Sequence, residues 1–199
     1  STPAAAVEAR LGGYRLEAVL GRGGMGVVHL AESIALGRRV ALKVLSAHGD
    51  PELVERFLIE ARAAARIDHP NVVRVHEVGR DGARWFLAMD LVDGESLRAR
   101  VQRDGPLEPR EAARIVEAIG RALHHAHGLG VLHRDVKPHN VLLSRDGAPR
   151  LADFGLAKLQ GDPTSEGITA TGAVLGTPAY MAPAYAREHL QRLRAAPPR

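Results

Sequence analysis

The sequence predicts an α+β fold in two parts. A small, mainly antiparallel five-stranded sheet with one helix comes first, and a partial, mainly helical part follows. Three observations predict it. Short alternating or β-branched runs recur through the first part. Turn residues (Gly, Pro, Asn, Asp) separate those runs. One long amphipathic stretch, Pro109 to His127, dominates the second part.

In chain order, residues 1–13 are Ala-rich, end in Gly12-Gly13 and read as a flexible segment. Tyr14, Leu16, Ala18 and Leu20 then alternate with Arg15, Glu17 and Val19, which is strand periodicity. A glycine-rich turn covers Gly21 to Gly26, followed by the β-rich run Val27 to Leu30 and, after a turn at Gly37, a strand from Arg39 to Leu45. Asp50-Pro51 reads as a helix start, with Asp as N-cap and Pro at the first helical position. Leu53, Phe57, Ala61 and Ala64 recur at helical spacing until His69-Pro70-Asn71 breaks the pattern. Val72 to Val78 and Arg84 to Met89 complete the five strands.

Ser96 to Arg103 is a short helix candidate. The Pro109–His127 stretch places Ala112, Ile115, Val116, Ile119, Leu123 and Ala126 on one face, and Gly128 and Gly130 end it. Val141 to Ser144 and Arg150 to Ala152 flank Asp146-Gly147, a hairpin signal. Residues 156–180 read as a long loop, and Ala184 to Arg199 as a basic tail with a helical stretch.

Composition excludes several function classes. With no cysteine, disulfides, thiol catalysis and thiolate metal sites are out. A formal charge of +4, spread along the chain, fits a solvated surface and not a nucleic-acid interface. No apolar run reaches the roughly 18 residues of a membrane span. A cytoplasmic setting is therefore expected. Lys43, Lys137 and Lys158 are the only lysines among 27 basic residues, which makes each one informative.

Gly21-x-Gly23-x-x-Gly26 lies between two strand-like runs. Glycines let backbone amides approach phosphates closely. A dinucleotide site would need a helix after the third glycine and an acid further on. The Val27-Val28 run instead favours a hairpin folded over phosphates. Lys43 stands in an otherwise apolar strand. It either snorkels to water at a strand edge or pairs with Glu60, an acid on the inward face of the first helix. His133-Arg134-Asp135-Val136-Lys137-Pro138-His139-Asn140 packs an acid, cations and an amide into one segment. The predicted hairpin would bring Asn140 near Asp153, and oxygen ligands of that kind suit Mg²⁺. The trio His124, His125 and His127 reads as solvated helix-end residues and not as metal ligands.

Taken together, the glycine loop 21–28, Lys43 with Glu60, the His-Arg-Asp segment with Asn140, and Asp153-Phe154-Gly155 resemble the signature set of protein kinases. Gly23 to Gly26, His69-Pro70-Asn71 and Gly176-Thr177-Pro178-x-Tyr180 resemble the bacterial serine/threonine type. The resemblance covers roughly residues 14 to 183. It implies a sheet-rich lobe over 14–90, a partial helical lobe over 91–183 and a divergent tail over 184–199.

The same resemblance implies roles. Asp135 would accept or orient the substrate hydroxyl proton, and Lys137 would steady the transferring phosphate. Asn140 and Asp153 would hold Mg²⁺, while Lys43, positioned by Glu60, would grip the ATP phosphates. Leu20, Gly21, Gly23 and Gly26 would belong to the nucleotide site. Val28, Ala41 and Leu142 would sandwich adenine, Met89 would be gatekeeper, and Asp90 and Val92 would offer hinge backbone groups. ATP and Ser/Thr-bearing proteins are the implied partners, along with a second kinase chain for phosphorylation in trans. Arg134 would grip a phosphate on Thr169 or Thr171 in a loop that also holds Thr164 and Ser165; the alternative is ordinary loop threonines.

The sequence departs from the family's pattern in two places. Ala184 stands where Ala182-Pro183 is normally followed by Glu, and Ala64 is small where a larger residue is usual. A chain truncated in the helical lobe is expected. Its alternative reading is an inactive remnant that binds nucleotide or a partner.

Overall fold

The computed structural model describes residues 9–23, 26–45, 51–154, 158–159 and 180; of residues 52, 53, 56, 60, 158 and 159 it describes the backbone only. A six-stranded antiparallel sheet holds β1 (Arg10–Leu11), β2 (Tyr14–Gly23), β3 (Gly26–Ser33), β4 (Arg38–Leu45), β5 (Val75–Asp81) and β6 (Arg84–Asp90), in the order β1-β2-β3-β4-β6-β5. Five of these are the predicted strands. The sixth corrects the flexible segment 1–13 at its end. Leu11 is fully buried and packs with Tyr14, Phe86 and Leu42. Burying that side chain stabilises by about 2 kcal/mol, enough to pin a two-residue strand.

Strand alternation gives the sheet two distinct faces. Ala31, Val40, Leu42, Phe86 and Ala88 form a buried cluster on one. Tyr14 closes that cluster edge-on to Phe86, with ring centroids 5.6 Å apart. Its hydroxyl donates to Glu77 at 2.6 Å, and burial followed by that bond pushes its pKa up to about 12. The opposite face carries Val28, Ala41, Lys43 and Met89. The register pairs Val28 with Lys43 and Ala41 with Met89, so these side chains stand together.

Helix α1 (Pro51–Ala65) starts at the proline that the sequence singled out. Asp50, its proposed cap, lies outside the described residues. Phe57, Ala61 and Ala64 are buried as the helical spacing requires. The His69-Pro70-Asn71 stop then does structural work. Asn71 N–H donates to His69 Nδ1 at 3.1 Å, and its side-chain amide donates to Pro149 O at 2.8 Å.

The second part holds β7 (Gly94–Ser96), α2 (Leu97–Asp104), α3 (Pro109–Gly128), β8 (Val131–Leu132), β9 (Val141–Ser144), β10 (Pro149–Leu151) and β11 (Lys158–Leu159). Ser96 caps α2, its hydroxyl accepting from Ala99 N at 3.2 Å. The buried stripe of α3 is Ile115, Ala118, Ile119, Ala122 and Ala126. Val116, placed on that face from the sequence, is 70% exposed. One residue past Ile115 is about 100° round the helix, which carries it off the stripe.

β9 and β10 form the expected hairpin. Gly147 takes φ 79°, and Asp146 Oδ1 accepts from Ser144 Oγ and Ala148 N. β7 joins them to make a three-stranded sheet. β11 pairs with β8, so Lys158–Leu159 is a short strand inside the stretch predicted as loop. The rest of that stretch, including Thr164, Ser165, Thr169 and Thr171, and the 184–199 tail lie outside the described residues.

A second buried cluster joins Ala63, Ala64, Ile67 and Val72 to the α3 stripe, Val131, Val141, Leu143, Leu151 and Phe154. Segment 71–73 is bonded directly to β10, with Leu151 N donating to Asn71 O at 2.8 Å and Val73 N to Leu151 O at 2.9 Å. These contacts fix the six-stranded sheet against the helical part. Among the described residues no helix is long and apolar enough to cross a membrane.

Candidate active site

The site lies where the Lys43 face of the large sheet meets the segment between β8 and β10. His133 anchors that segment and is 1% exposed. Asp135 N donates to its Nδ1 at 3.3 Å, so the ring proton sits on Nε2, which donates to Ala152 O at 3.1 Å. Burial is the largest influence on this ring and lowers its pKa, which keeps it in that neutral form. Phe154 packs against it with centroids 4.6 Å apart.

The residues after each end of this link are kinked alike. Arg134 has φ 63° and Asp153 φ 59°, the only non-glycine residues with positive φ among those described. Such conformations cost roughly 1 kcal/mol or more each and persist where surrounding bonds hold them. Here the His133–Ala152 bond, and Ala152 N donating to Asn140 O at 2.8 Å, supply that hold. One kink immediately precedes Asp135, and the other is at Asp153 itself.

Asp135 is the centre of a tight polar group. Lys137 Nζ lies 2.6 Å from its Oδ2. Asn140 Nδ2 donates to Asp135 O at 2.9 Å and to its Oδ2 at 3.4 Å. Asn140 is itself buried, and with its nitrogen engaged, Oδ1 is the acceptor it has left to offer. The predicted trio Asp135, Lys137 and Asn140 is therefore assembled.

Lys43 Nζ reaches Asp153 Oδ1 at 2.6 Å, bridging the large sheet and the end of β10. Glu60, the partner predicted for Lys43, lies on α1, but its side chain is outside the described residues. The Lys43 ammonium is mostly covered, while the Asp153 carboxylate is half exposed. A half-exposed carboxylate and an amide oxygen are hard-oxygen donors of the kind Mg²⁺ takes together with phosphates.

The remaining predicted residues frame this centre. Leu20, Gly21 and Gly23 lie on β2, and Gly26 and Val28 on β3. The three glycines differ. A Cβ on Gly21 or Gly23 would meet nothing, whereas one on Gly26 would overlap the Val44 carbonyl oxygen. Gly26 is thus required by the close passage of β4, beyond any need for a ligand. Met89 and Asp90 end β6, Val92 follows in the connection to β7, and Leu142 sits on β9 across that connection. Sequence reasoning gave no role to His133 or Phe154. The signal was present: a histidine directly after the apolar pair Val131-Leu132, and a phenylalanine after an acid.

Over most of its length the chain is similar to known proteins. The protein kinase domain family matches residues 14–192. The serine/threonine-protein kinase PknA of Mycobacterium tuberculosis is 43% identical over 185 residues, 89% of this chain and 42% of that protein. PrkC of Bacillus subtilis is 40% identical over 178 residues, 88% of this chain and 27% of that protein. PknB of Mycolicibacterium smegmatis is 42% identical over 180 residues, 87% of this chain and 29% of that protein. The chain thus spans less than half the length of these curated relatives. An α+β fold with this polar centre, matched over most of its length, belongs to the protein kinase domain family.

Proposed function

We propose that this chain transfers the terminal phosphoryl group of ATP to serine or threonine hydroxyls of proteins. The observation that carries the reading is the group Asp135–Lys137–Asn140, held within hydrogen-bond reach by the buried His133 link. Phosphoryl transfer asks the protein for positioning and charge neutralisation more than for covalent help. Asp135 accepts or orients the hydroxyl proton of the substrate. Lys137 neutralises charge on the transferring phosphate, and its present bond to Asp135 keeps it beside the reacting oxygen. Lys43 binds the α and β phosphates, for which it exchanges or shares its contact with Asp153.

Asn140 Oδ1 and the Asp153 carboxylate would hold Mg²⁺, which when bound neutralises the phosphate oxygens. Val28 and Ala41 above and Leu142 below cover the adenine, Met89 lines its inner edge, and the backbone of Asp90 and Val92 meets its polar edge. Leu20 and the open side of Gly21 and Gly23 cover the phosphates. Substrates are cytoplasmic proteins, among them a second copy of this chain phosphorylated in trans at Thr169 or Thr171, where the added charge pairs with Arg134.

The second reading is a nucleotide-binding module without turnover. Ala184 in place of the family's glutamate favours it. Intact mass after incubation with Mg²⁺ and ATP separates the two. Phosphate on the wild-type chain and none on an Asp135→Asn chain supports the transferase. No phosphate on either, in protein that binds ATP, supports the module.

A further inference from the structure

Asp90 is the last residue of β6 and opens the connection between the two sheets. Its backbone N–H donates to Arg74 O at 2.9 Å. It pairs with Val40 in the register, so its side chain stands on the pleat opposite Met89 and Ala41, away from the site. There the carboxylate is held from two sides. His76 Nε2 lies 2.9 Å from Oδ1, and Arg150 Nη1 donates to Oδ2 at 3.3 Å. His76 stands on β5 of the six-stranded sheet and Arg150 on β10 of the three-stranded sheet. One carboxylate is therefore bonded to both sheets.

The register accounts for the reach of His76. β5 and β6 pair Val75 with Met89 and then Glu77 with Ala88, leaving His76 as the extra residue of a bulge. A bulge gives up ladder pairing and re-aims a side chain, and it is over-represented beside active sites. Here the re-aimed side chain is 18% exposed and ends on Asp90. Arg150 in turn faces Leu142 across the β9–β10 hairpin. The two partners of Asp90 thus sit next to the gatekeeper position, Met89, and next to the floor residue, Leu142.

We propose that His76 and Arg150 are positioning residues for the nucleotide base. They act through the Asp90 carboxylate to fix the Asp90–Val92 backbone in depth and tilt against Leu142. The inference rests on the nucleotide reading of the same site. Backbone groups can recognise a base only if they are held, because hydrogen bonds weaken steeply as distance and angle drift. Two bonds to an ionised carboxylate, made from two separate sheets, provide that hold at little entropic cost for the short Asp and His side chains.

The test uses the full chain and three probes measured by calorimetry: Mg²⁺-ATP, adenosine, and tripolyphosphate with Mg²⁺. Wild type is compared with His76→Ala, Arg150→Ala and the double variant, and with the conservative His76→Gln and Arg150→Lys. In the double variant, affinity for ATP and for adenosine should fall about tenfold, the scale of losing hydrogen bonds to a charged group. Tripolyphosphate affinity should stay within about twofold, because its contacts lie at the Lys43 end. The conservative variants should recover most of the loss. If the double variant does not fold, Arg150→Ala alone carries the comparison, with about a threefold loss expected for adenosine. Unchanged adenosine affinity in folded variants overturns the inference, and so does a parallel loss of tripolyphosphate. A wild-type chain that binds neither ATP nor tripolyphosphate overturns the nucleotide reading itself, and this inference with it.

Discussion

The six-stranded sheet and the segment 131–154 place functional side chains by different means. In the sheet, pleating does the work: Leu42 and Val40 point into one apolar cluster, and Ala41 and Lys43 therefore point the other way. In the polar stretches of 131–154, between β8 and β9 and after β10, no period applies. Positions are set by a buried imidazole, a buried amide and two left-handed kinks tied together by side-chain-to-backbone bonds. The sheet is a regular frame that holds one cation where register puts it. The segment is a polar knot that holds three charged groups where bonds put them. Apolar burial is non-directional and tolerates small shifts, while a hydrogen-bonded knot is directional and fails when one member changes. The groups proposed to react sit in the directional half.

That contrast can be broken at either end. The largest effect expected is on the frame. Leu42→Ala removes a fully buried side chain from the sheet cluster and should destabilise the protein by ~3 kcal/mol, read as a lowered melting temperature. In the fraction that stays folded, phosphoryl transfer at saturating ATP should change little. A matching collapse of turnover per folded molecule would show that frame and knot are not separable.

Acid should act on the knot first. His133 is held neutral by burial, so its folded pKa lies below its unfolded value near 6.5. For such a group the unfolded state binds more protons as pH falls, so its contribution is complete above about pH 6.5 and is lost below it. His139, in the same segment, shifts in the same direction, with burial as the largest cause, and adds to the loss. Hydrogen exchange at pH 7 and pH 5 should therefore show amides of 131–154 losing protection before those of β4 and β6, which carry no histidine. Equal loss in both regions would contradict the contrast.

The smallest effect expected lies outside both regions. Ser96→Ala removes the cap bond to Ala99 and should lower stability by ~1 kcal/mol with turnover intact. A larger change in activity than in stability would mean that α2 takes part in the site.

The same contrast explains what the sequence disclosed. Five of the strands, α2, α3 and the β9–β10 hairpin follow from periodicity and turn chemistry, although β5 starts three residues later than that reading placed it and β2 runs on through Gly21–Gly23, read as turn. The two-residue strands β1 and β11 were not legible, because two residues show no period; burial of Leu11 and pairing with Val131–Leu132 form them. Val116 was placed on the apolar face of α3, although helix geometry carries it outward. Asp135, Lys137, Asn140 and Asp153 were named from their residue types and order. Their convergence through His133 was not legible, because Ala152 contributes only a carbonyl. The ties of Asp90 to His76 and Arg150 were equally hidden, since a bulge leaves no mark in composition. Sequence also gave all three loop glycines one role, whereas Gly26 answers to the backbone of β4.

The central claim is that the knot performs the transfer while the frame holds the nucleotide. Single-turnover phosphoryl transfer by wild type and Asp135→Asn, with ATP affinity measured on the same samples, tests it most directly. The account predicts a rate lower by roughly 10²- to 10⁴-fold in the variant, the usual worth of a positioned base, with ATP affinity within about twofold. Equal rates in the two chains would contradict it.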